Sequence, residues 1–402
     1  MTLTQGPFKR LVVTGDVIRP QPDAAVAHQN QNIDWLFAAL DQPLREATGI
    51  APVRIGWREG GFDAAAFYRI LGLEPTIASW ARLYHETECG SQAEDYVLSH
   101  FSDALVIAFE LNPLFAAIFE RNGIAFVNLI IHPVRFLDDL IFGMCTNELA
   151  IFDVLAARRA PEALFQVIAG LHRAAAVRDP RPLIAEPTVL IVGQTMQDKS
   201  LIADGRFLTL ADYADRIDQL AEPGARVLFK PHPYQRAIDP AMAQLVARRR
   251  IGTTFANIYR LLAQENLAAV YAISSSVCYE ARYFGKRVDF FHRAPYDFAD
   301  GDNATFAHDL YVAIAESPLE PDFWRAVLAP FIPTTKPSGP VLPAKPNRLR
   351  VSLREFWGYS PIDTDVATAH FFANDEGLYE RDVLRYLRRA RLRRLLRLFG
   401  LG

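Results

Sequence analysis

Cysteine is scarce in this 402-residue chain: Cys89, Cys145 and Cys278 are the full complement. Thiols so few and so far apart make neither a disulfide framework nor a zinc cluster, and a reducing, cytoplasmic setting is expected. No apolar run approaches the roughly 18 residues needed to cross a bilayer, so an integral membrane protein is not expected. The opening residues, MTLTQGPFKRLVVTGD, pass straight into a strand-like run and lack the pattern of a secretory leader. Several active-site signatures are missing as well. There is no Walker-type glycine-rich phosphate loop, no dinucleotide fingerprint after a strand, no nucleophile-elbow serine and no helical pair of zinc-binding histidines. P-loop enzymes, nicotinamide enzymes, α/β hydrolases and zinc proteases are thereby disfavoured.

Half of the residues are apolar and 22% are charged, with 26 Pro and 22 Gly, which excludes a disordered chain, a collagen and a coiled coil. The length is that of two to three domains at about 150 residues each. Charge is unevenly spread. Residues 381–402 hold eight Arg against one Asp, so of 43 basic and 46 acidic residues the first 380 keep 35 and 45, a net of −10. An acidic body is a poor phosphate-backbone surface, and no nucleic-acid partner is expected.

Short apolar or β-branched runs alternate with amphipathic stretches along the chain. Strands are expected at 11–14, 53–55, 104–109, 125–131, 189–193, 226–229, 268–273 and 287–291, and helices at 32–48, 113–122, 146–159 and 161–177. Alternation of this kind implies crossover units and mostly parallel sheets, and continuous runs such as VLIV and LAAVYAI fit strands covered on both faces. The proline-bearing stretch 177–187 is the expected inter-domain linker, and the prolines of 330–346 mark a second boundary. The expected architecture is α/β, with lobes at 1–180 and 188–329, a Pro-rich and aromatic wrap at 330–380 and a basic tail at 381–402.

In parallel sheets, ligands bind beyond the carboxyl ends of strands. Four strand ends carry polar groups. In RVLFKPHPYQ, Lys230 and His232 follow a strand, with prolines stiffening the backbone around a His that can transfer protons and a Lys that can bind an anion; the plain alternative is a Pro-bounded turn. In YAISSSVCYE, Ser274, Ser275 and Ser276 open a helix whose free N–H groups suit a phosphate, and Glu280 is placed to reach a sugar hydroxyl; alternatively the serines are only an N-cap. In VLIVGQTMQDKS, Gln194 and Thr195 turn toward Asp198, which is either a helix cap or a nucleophile or base. The fourth place is IAFELNP with NLIIHPVRFLDDL: Glu110 ends one strand, and His132, Arg135, Asp138 and Asp139 follow the next. A Glu facing an Asp suits glycosyl transfer, while Asp138 and Asp139 can instead be first-turn helix acids, the reading favoured for one of the pair. Asp363 and Asp365 match a metal-binding D-x-D only superficially, since no apolar strand precedes them.

Taken together, Lys230-Pro231-His232-Pro233, Ser274–Ser276, Gly193-Gln194-Thr195 with Asp198, and the stretch from His132 to Asp139 resemble the bacterial retaining β-Kdo transferases (glycosyltransferase family 99, WbbB-type, with KpsC-type capsule relatives) over roughly residues 100–300. The resemblance implies a GT-B-like fold of two Rossmann-like lobes, with a C-terminal helical wrap and an amphipathic tail helix. It implies CMP-β-Kdo as donor, held by Gln194, Thr195, Lys230, His232, Ser274, Ser275, Ser276 and Glu280, with no metal or other cofactor. Asp198 matches the nucleophile, His232 the histidine of the donor motif, and Glu110 is the candidate base for a glycan hydroxyl. The chemistry is coherent. Kdo bears a carboxylate on its anomeric carbon, for which Lys230, Arg135 and His232 are at hand, and a departing phosphodiester needs hydrogen bonds rather than a proton. The alternatives are an inverting CMP-sialic acid transferase, a polyol-phosphate transferase, or a lobe pair that binds glycan without turnover.

The tail, YERDVLRYLRRARLRRLLRL, repeats Leu384, Leu387, Leu395 and Leu398 at helical spacing among its arginines. Such a helix lies in the headgroup plane of an anionic membrane, which would suit a lipid-linked glycan acceptor on the inner face of the bacterial inner membrane; packing on the acidic body is the alternative. Deleting residues 381–402 is expected to abolish flotation with anionic liposomes, and unchanged flotation would reject the anchor.

Overall fold

A computed structural model describes residues 8, 10–20, 29–57, 61–177, 184–220, 226–232, 243, 246, 251–299, 305–337 and 348–353. The basic tail, Asp363 and Asp365, most of the Pro-rich and aromatic wrap, and residues 178–183 of the expected linker lie outside them.

The chain builds two main sheets. In chain order the first five strands are β1 (Arg10–Gly15), β2 (Val53–Arg54), β3 (Ala104–Phe109), β4 (Phe126–Ile131) and β5 (Phe142–Thr146). Then come β6 (Thr188–Val192), a small hairpin of β7 (Ile202–Ala203) and β8 (Arg206–Phe207), β9 (Arg226–Lys230), β10 (Gly252–Thr253), β11 (Leu267–Ala272) and β12 (Arg287–Phe290). The last two are β13 (Asp297–Phe298) and β14 (Leu310–Ile314). One sheet has the order β13-β14-β5-β4-β3-β1-β2, the other β10-β9-β6-β11-β12. The second is parallel throughout; the first is parallel from β2 to β4, and β5 runs antiparallel to both β4 and β14.

All eight expected strands form, and those inside the sheets read as continuous apolar runs because helices cover both faces, while the edge strands β2 and β12 stay partly exposed. Leu11, Val13, Leu105, Ile107, Val127 and Leu129 meet the helix Gln29–Thr48 on one face of the first sheet. Val12, Val106 and Ala108 meet the helices Ala64–Ile70, Ser91–Phe101 and Pro113–Arg121 on the other. Local signals start these helices: Asp63 and Asn112 accept from backbone N–H groups of the first turn, and Pro113 follows its cap directly.

Two features differ from the sequence reading. The stretch 188–329 is not one unit, because β13 and β14 return to the first sheet, with Val312 opposite Met144, and the helix Pro321–Leu328 buries Phe323, Trp324, Val327 and Leu328 there. The change of sheet comes before the prolines of 330–346, where β14 covers the open edge of β5. Second, the β4–β5 connection does not stay with its own sheet. Val134, Phe136, Leu137 and Ile141 enter the core beneath Leu190, Val192 and Val270 of the second sheet. Phe136 is 1% exposed, with the rings of His172, Tyr259, Tyr283 and Phe284 at 5.7 to 6.1 Å.

Truncating this plug by Phe136→Ala is expected to cost about 3–5 kcal/mol, as for other buried phenylalanines. Thermal or urea unfolding measures it, and an unmoved midpoint would show that the connection does not hold the second sheet.

Candidate functional site

The site begins where β6 stops. Its five residues are all buried, and Gly193 follows, donating its N–H to Lys230 O at 2.8 Å. A Cβ at Gly193 would lie 3.0 Å from Phe229 Cζ and 3.4 Å from His232 N, so the close approach of the two strand ends leaves little room for a side chain here. Gln194 then links three segments: Oε1 accepts from Ser274 N at 2.8 Å and Nε2 donates to Ser200 Oγ at 3.0 Å. Since β9, β6 and β11 are adjacent in the sheet, Lys230 and His232, Gln194 to Asp198, and the triple serine stand side by side at one edge.

Asp198 caps the 3-10 turn Lys199–Leu201: its Oδ1 accepts from Ser200 N at 2.9 Å and Ser200 Oγ at 2.8 Å. The capping alternative is therefore realised, and the cap fixes the carboxylate at the crevice. Thr195 closes the preceding turn by accepting from Asp198 N at 3.3 Å. Burial pushes His232 down to about 4, against the opposing pull of Asp198 and with help from Lys230 and Arg135, so near neutral pH its imidazole is neutral rather than a cation. Ser275 Oγ accepts from Val277 N at 3.4 Å, and Ser276 sits at the N-cap position of the helix Val277–Tyr283 without a side-chain cap bond. Ser274 Oγ is buried with no hydrogen-bond partner among the described residues.

Across the crevice stands Glu110, just past the end of β3. Its backbone is in the left-handed region at φ 54°, a strained position for a non-glycine residue, and its N–H is held by Leu129 O at 2.8 Å. Lys199 Nζ lies 3.1 Å from Glu110 Oε1, and Gln29 Nε2 donates to Oε2 at 2.9 Å. Burial alone would raise the Glu110 pKa; Lys199, Gln29 and Arg19 outweigh it and hold the carboxyl below the ordinary range. Lys199 is the converse case, with burial opposed and overcome by Glu110, Tyr84 and Asp198. Arg19 approaches the same place, donating to Gln197 O at 3.0 Å while lying 4.8 Å over the Trp80 ring.

The remaining candidates are placed differently. Glu280, expected at a sugar hydroxyl, is fully buried. Its Oε1 accepts from Arg135 N and Tyr259 OH, each at 2.7 Å, and Oε2 has no hydrogen-bond partner among the described residues. Burial lifts its pKa to about 7 against the nearby arginines. Spacing from the serines put Glu280 near the crevice, but helical rotation turns it into the core. His132 is also a core residue: it stacks on Phe165 at 5.3 Å, its Nδ1 accepts from Val134 N at 3.1 Å, and burial drives its pKa down to about 3. No helix starts at Asp138 or Asp139, so neither is a first-turn acid of its own segment; Asp139 instead caps the distant helix Arg348–Leu353, accepting from Leu349 N at 3.0 Å and Arg350 N at 2.8 Å. With exposed Asp138 it lines a cavity of about 280 Å³ beside Leu164, Ile168 and Arg348 that shares no lining residue with the crevice. Arg135 stands between crevice and core, its charge acting on His232, Glu280 and Tyr296.

Gln29, Arg19 and Tyr296 were not anticipated. Tyr296 is half-buried, its ring centroid 5.5 Å from Lys199 Nζ, and it lies in a loop without a strand-end signal; Gln29 opens a helix whose first turn, QNQN, is polar throughout and singles out no residue. Arg19 alone, just beyond LVVTGD, followed a strand and could have been found. Among the described residues no group of three His, Cys, Asp or Glu is arranged to hold a metal ion, and no helix is long and apolar enough to cross a membrane.

No family model matches the chain, and no curated protein matches it. Among solved structures it is similar to the β-Kdo 2,7 transferase of Thermosulfurimonas dismutans KpsC, at 14% identity and a TM-score of 0.33 over 60% of this chain and 81% of that one. The β-Kdo 2,4 transferase of the same KpsC is similar at 15% identity and a TM-score of 0.31, over 56% and 78%. Likeness of that extent carries no argument about activity, which has to come from the site.

Because the Glu280 pKa is raised in the folded protein, its contribution to stability is present in full below the ordinary glutamate range and is lost as pH rises through about 7. Glu280→Gln keeps both hydrogen bonds to Oε1 without a charge. Its melting temperature relative to the native protein is expected to climb between pH 5 and pH 8; a flat or falling difference would contradict the assignment.

Proposed function

We propose that the protein is a retaining glycosyltransferase that moves β-Kdo from CMP-β-Kdo to a lipid-linked bacterial surface glycan. The observation that carries this is the convergence of Asp198, the Lys230 and His232 pair, and Ser274–Ser276 at adjacent strand ends, with a buried-side Glu110 facing them through Lys199. The CMP phosphate is assigned to the serine turn, where Ser274 Oγ and the helix N–H groups are donors, and the Kdo carboxylate to Lys230 and Arg135.

The chemistry is a double displacement. An Asp198 carboxylate oxygen forms a bond to the anomeric carbon as the bond from that carbon to the phosphate oxygen breaks, and CMP leaves with the electron pair. Glu110 then takes the proton of the acceptor hydroxyl, the hydroxyl oxygen bonds to the anomeric carbon, and the Asp198 carboxylate is released. Two inversions return the β configuration. Neutral His232, under the influence of Asp198, is assigned to assist the adduct. The segment 1–180 is assigned to the acceptor and the core of 188–329 to the donor, and the basic tail to an anionic membrane on the cytoplasmic side.

Incubation with CMP-Kdo generated in situ and a glycan acceptor should release CMP. Asp198→Asn keeps an oxygen that can cap Ser200, so the variant is expected to fold with an unchanged melting temperature and to lose about a thousandfold or more in rate. Full activity in that variant would end the nucleophile assignment, and absence of CMP release by the native protein would end the donor assignment.

A further inference from the structure

Lys199 touches both sides of the crevice. Its backbone begins the turn that Asp198 caps, while its ammonium reaches Glu110 Oε1 at 3.1 Å and lies 5.5 Å from the Tyr296 ring centroid. The two side chains are 13% and 22% exposed, so solvent and salt screen the pair less than one at the surface. The partners are not equally fixed. Glu110 is held without Lys199, by Leu129 O on its backbone and by Gln29 on its second carboxylate oxygen. Lys199 is a point charge on a flexible four-carbon stem and can change partners without moving the backbone.

A carboxylate paired with an ammonium is a weak base, because the pair stabilises the ionised form. For Glu110 to take a proton from a sugar hydroxyl, that pairing has to be loosened. An incoming donor supplies the means: a sugar acid whose reacting carbon meets Asp198 brings its carboxylate close to a group whose charge already acts on the Lys199 ammonium. We propose that Lys199 is a donor-sensing counter-ion, which rests on Glu110 in the empty site and transfers to the anionic donor when it binds, freeing Glu110 to act as base. This rests on the reading of Asp198 as the group that meets the donor. Lys199 is thus a positioning residue for Glu110 and, alongside Lys230 and Arg135, a third cation for the carboxylate of the donor, and it makes donor binding precede activation of the acceptor.

Among the described residues, the charged or titratable groups shown to act on Glu110 or on this pair bear on the test. They are Lys199 from the 3-10 turn, Arg19 beyond β1, Tyr84 after the helix Ile77–Leu83, Cys145 in β5, Tyr296 before β13, and Asp198 beside Lys199. Arg19 is tied to Gln197 O and Trp80 and stays when Lys199 leaves, so Glu110 gains only part of its lost proton affinity.

Titration calorimetry near pH 5, in two buffers of different ionisation heat, reads the protons taken up on binding. The probes are CMP alone and CMP with free Kdo, applied to the full chain and to its Lys199→Met, Lys199→Arg and Glu110→Gln variants. The native protein is expected to take up more protons with CMP plus Kdo than Glu110→Gln does, the difference isolating this carboxyl. Lys199→Met should lose that uptake and bind Kdo about tenfold more weakly, with CMP alone bound as before, and Lys199→Arg should restore Kdo binding. Equal uptake by the native protein and Glu110→Gln, or full Kdo affinity in Lys199→Met, would overturn the counter-ion role alone. Native protein that binds neither probe would overturn the donor reading itself, and the counter-ion role with it.

Discussion

A carboxyl group taken wholly out of water must be met by donors, and Glu280 is met by the backbone of Arg135 and the hydroxyl of Tyr259. Those bonds fasten the β4–β5 connection of one sheet onto the other. The fastening is reinforced from a third side, where Arg350, itself fully buried, donates to Arg135 O at 2.7 Å and Leu137 O at 2.9 Å. His172 adds a bond to Phe136 O at 2.9 Å. With the connection anchored, the ends of β3 and β4 face the ends of β6, β9 and β11, and the distance between Glu110 and Lys199 follows. The polar cluster that sequence reasoning assigned to the ligand is what sets the width of the crevice.

The electrostatics of that crevice suit an anionic, easily departing group. Lys199, Lys230, Arg135 and Arg19 supply positive charge around two carboxylates, Glu110 and Asp198, while burial keeps His232 neutral. A phosphodiester leaving group asks for oriented donors and no proton. The helix opening after Ser276 and the buried Ser274 hydroxyl provide such donors at the end of β11.

Much of the fold was legible because parallel strands covered on both faces leave unbroken apolar runs, and VLIV and LAAVYAI are two of them. The strand β5 was not, since FGMCT is short and its Gly143 is needed for close approach: a Cβ there would lie 3.0 Å from Ile130 Cγ1 and 3.1 Å from Phe298 Cε1. The pairing of β14 with β5 joins Val312 to Met144, a relation no local pattern encodes. In the site, position after a strand picked out the candidates but did not say which way each side chain turns, because local rotation decides whether it meets the crevice or the core: Glu110 and His132 each follow a buried strand directly, and only Glu110 faces the crevice. Glu280 and His132 turned inward, and Asp139 went to the helix Arg348–Leu353. Lys199 stood in plain view beside Asp198, yet its partner Glu110 lies on the other sheet and only the fold brings them together.

The central claim is a covalent bond between the Asp198 carboxylate and the transferred sugar. Intact-protein mass spectrometry of Glu110→Gln protein mixed with CMP-Kdo, followed by peptide mapping, tests it directly, since the second displacement is slowed when the base is removed. The account predicts a mass increase of one Kdo residue on the peptide containing Asp198. Turnover with no adduct, or an adduct on another side chain, would contradict it.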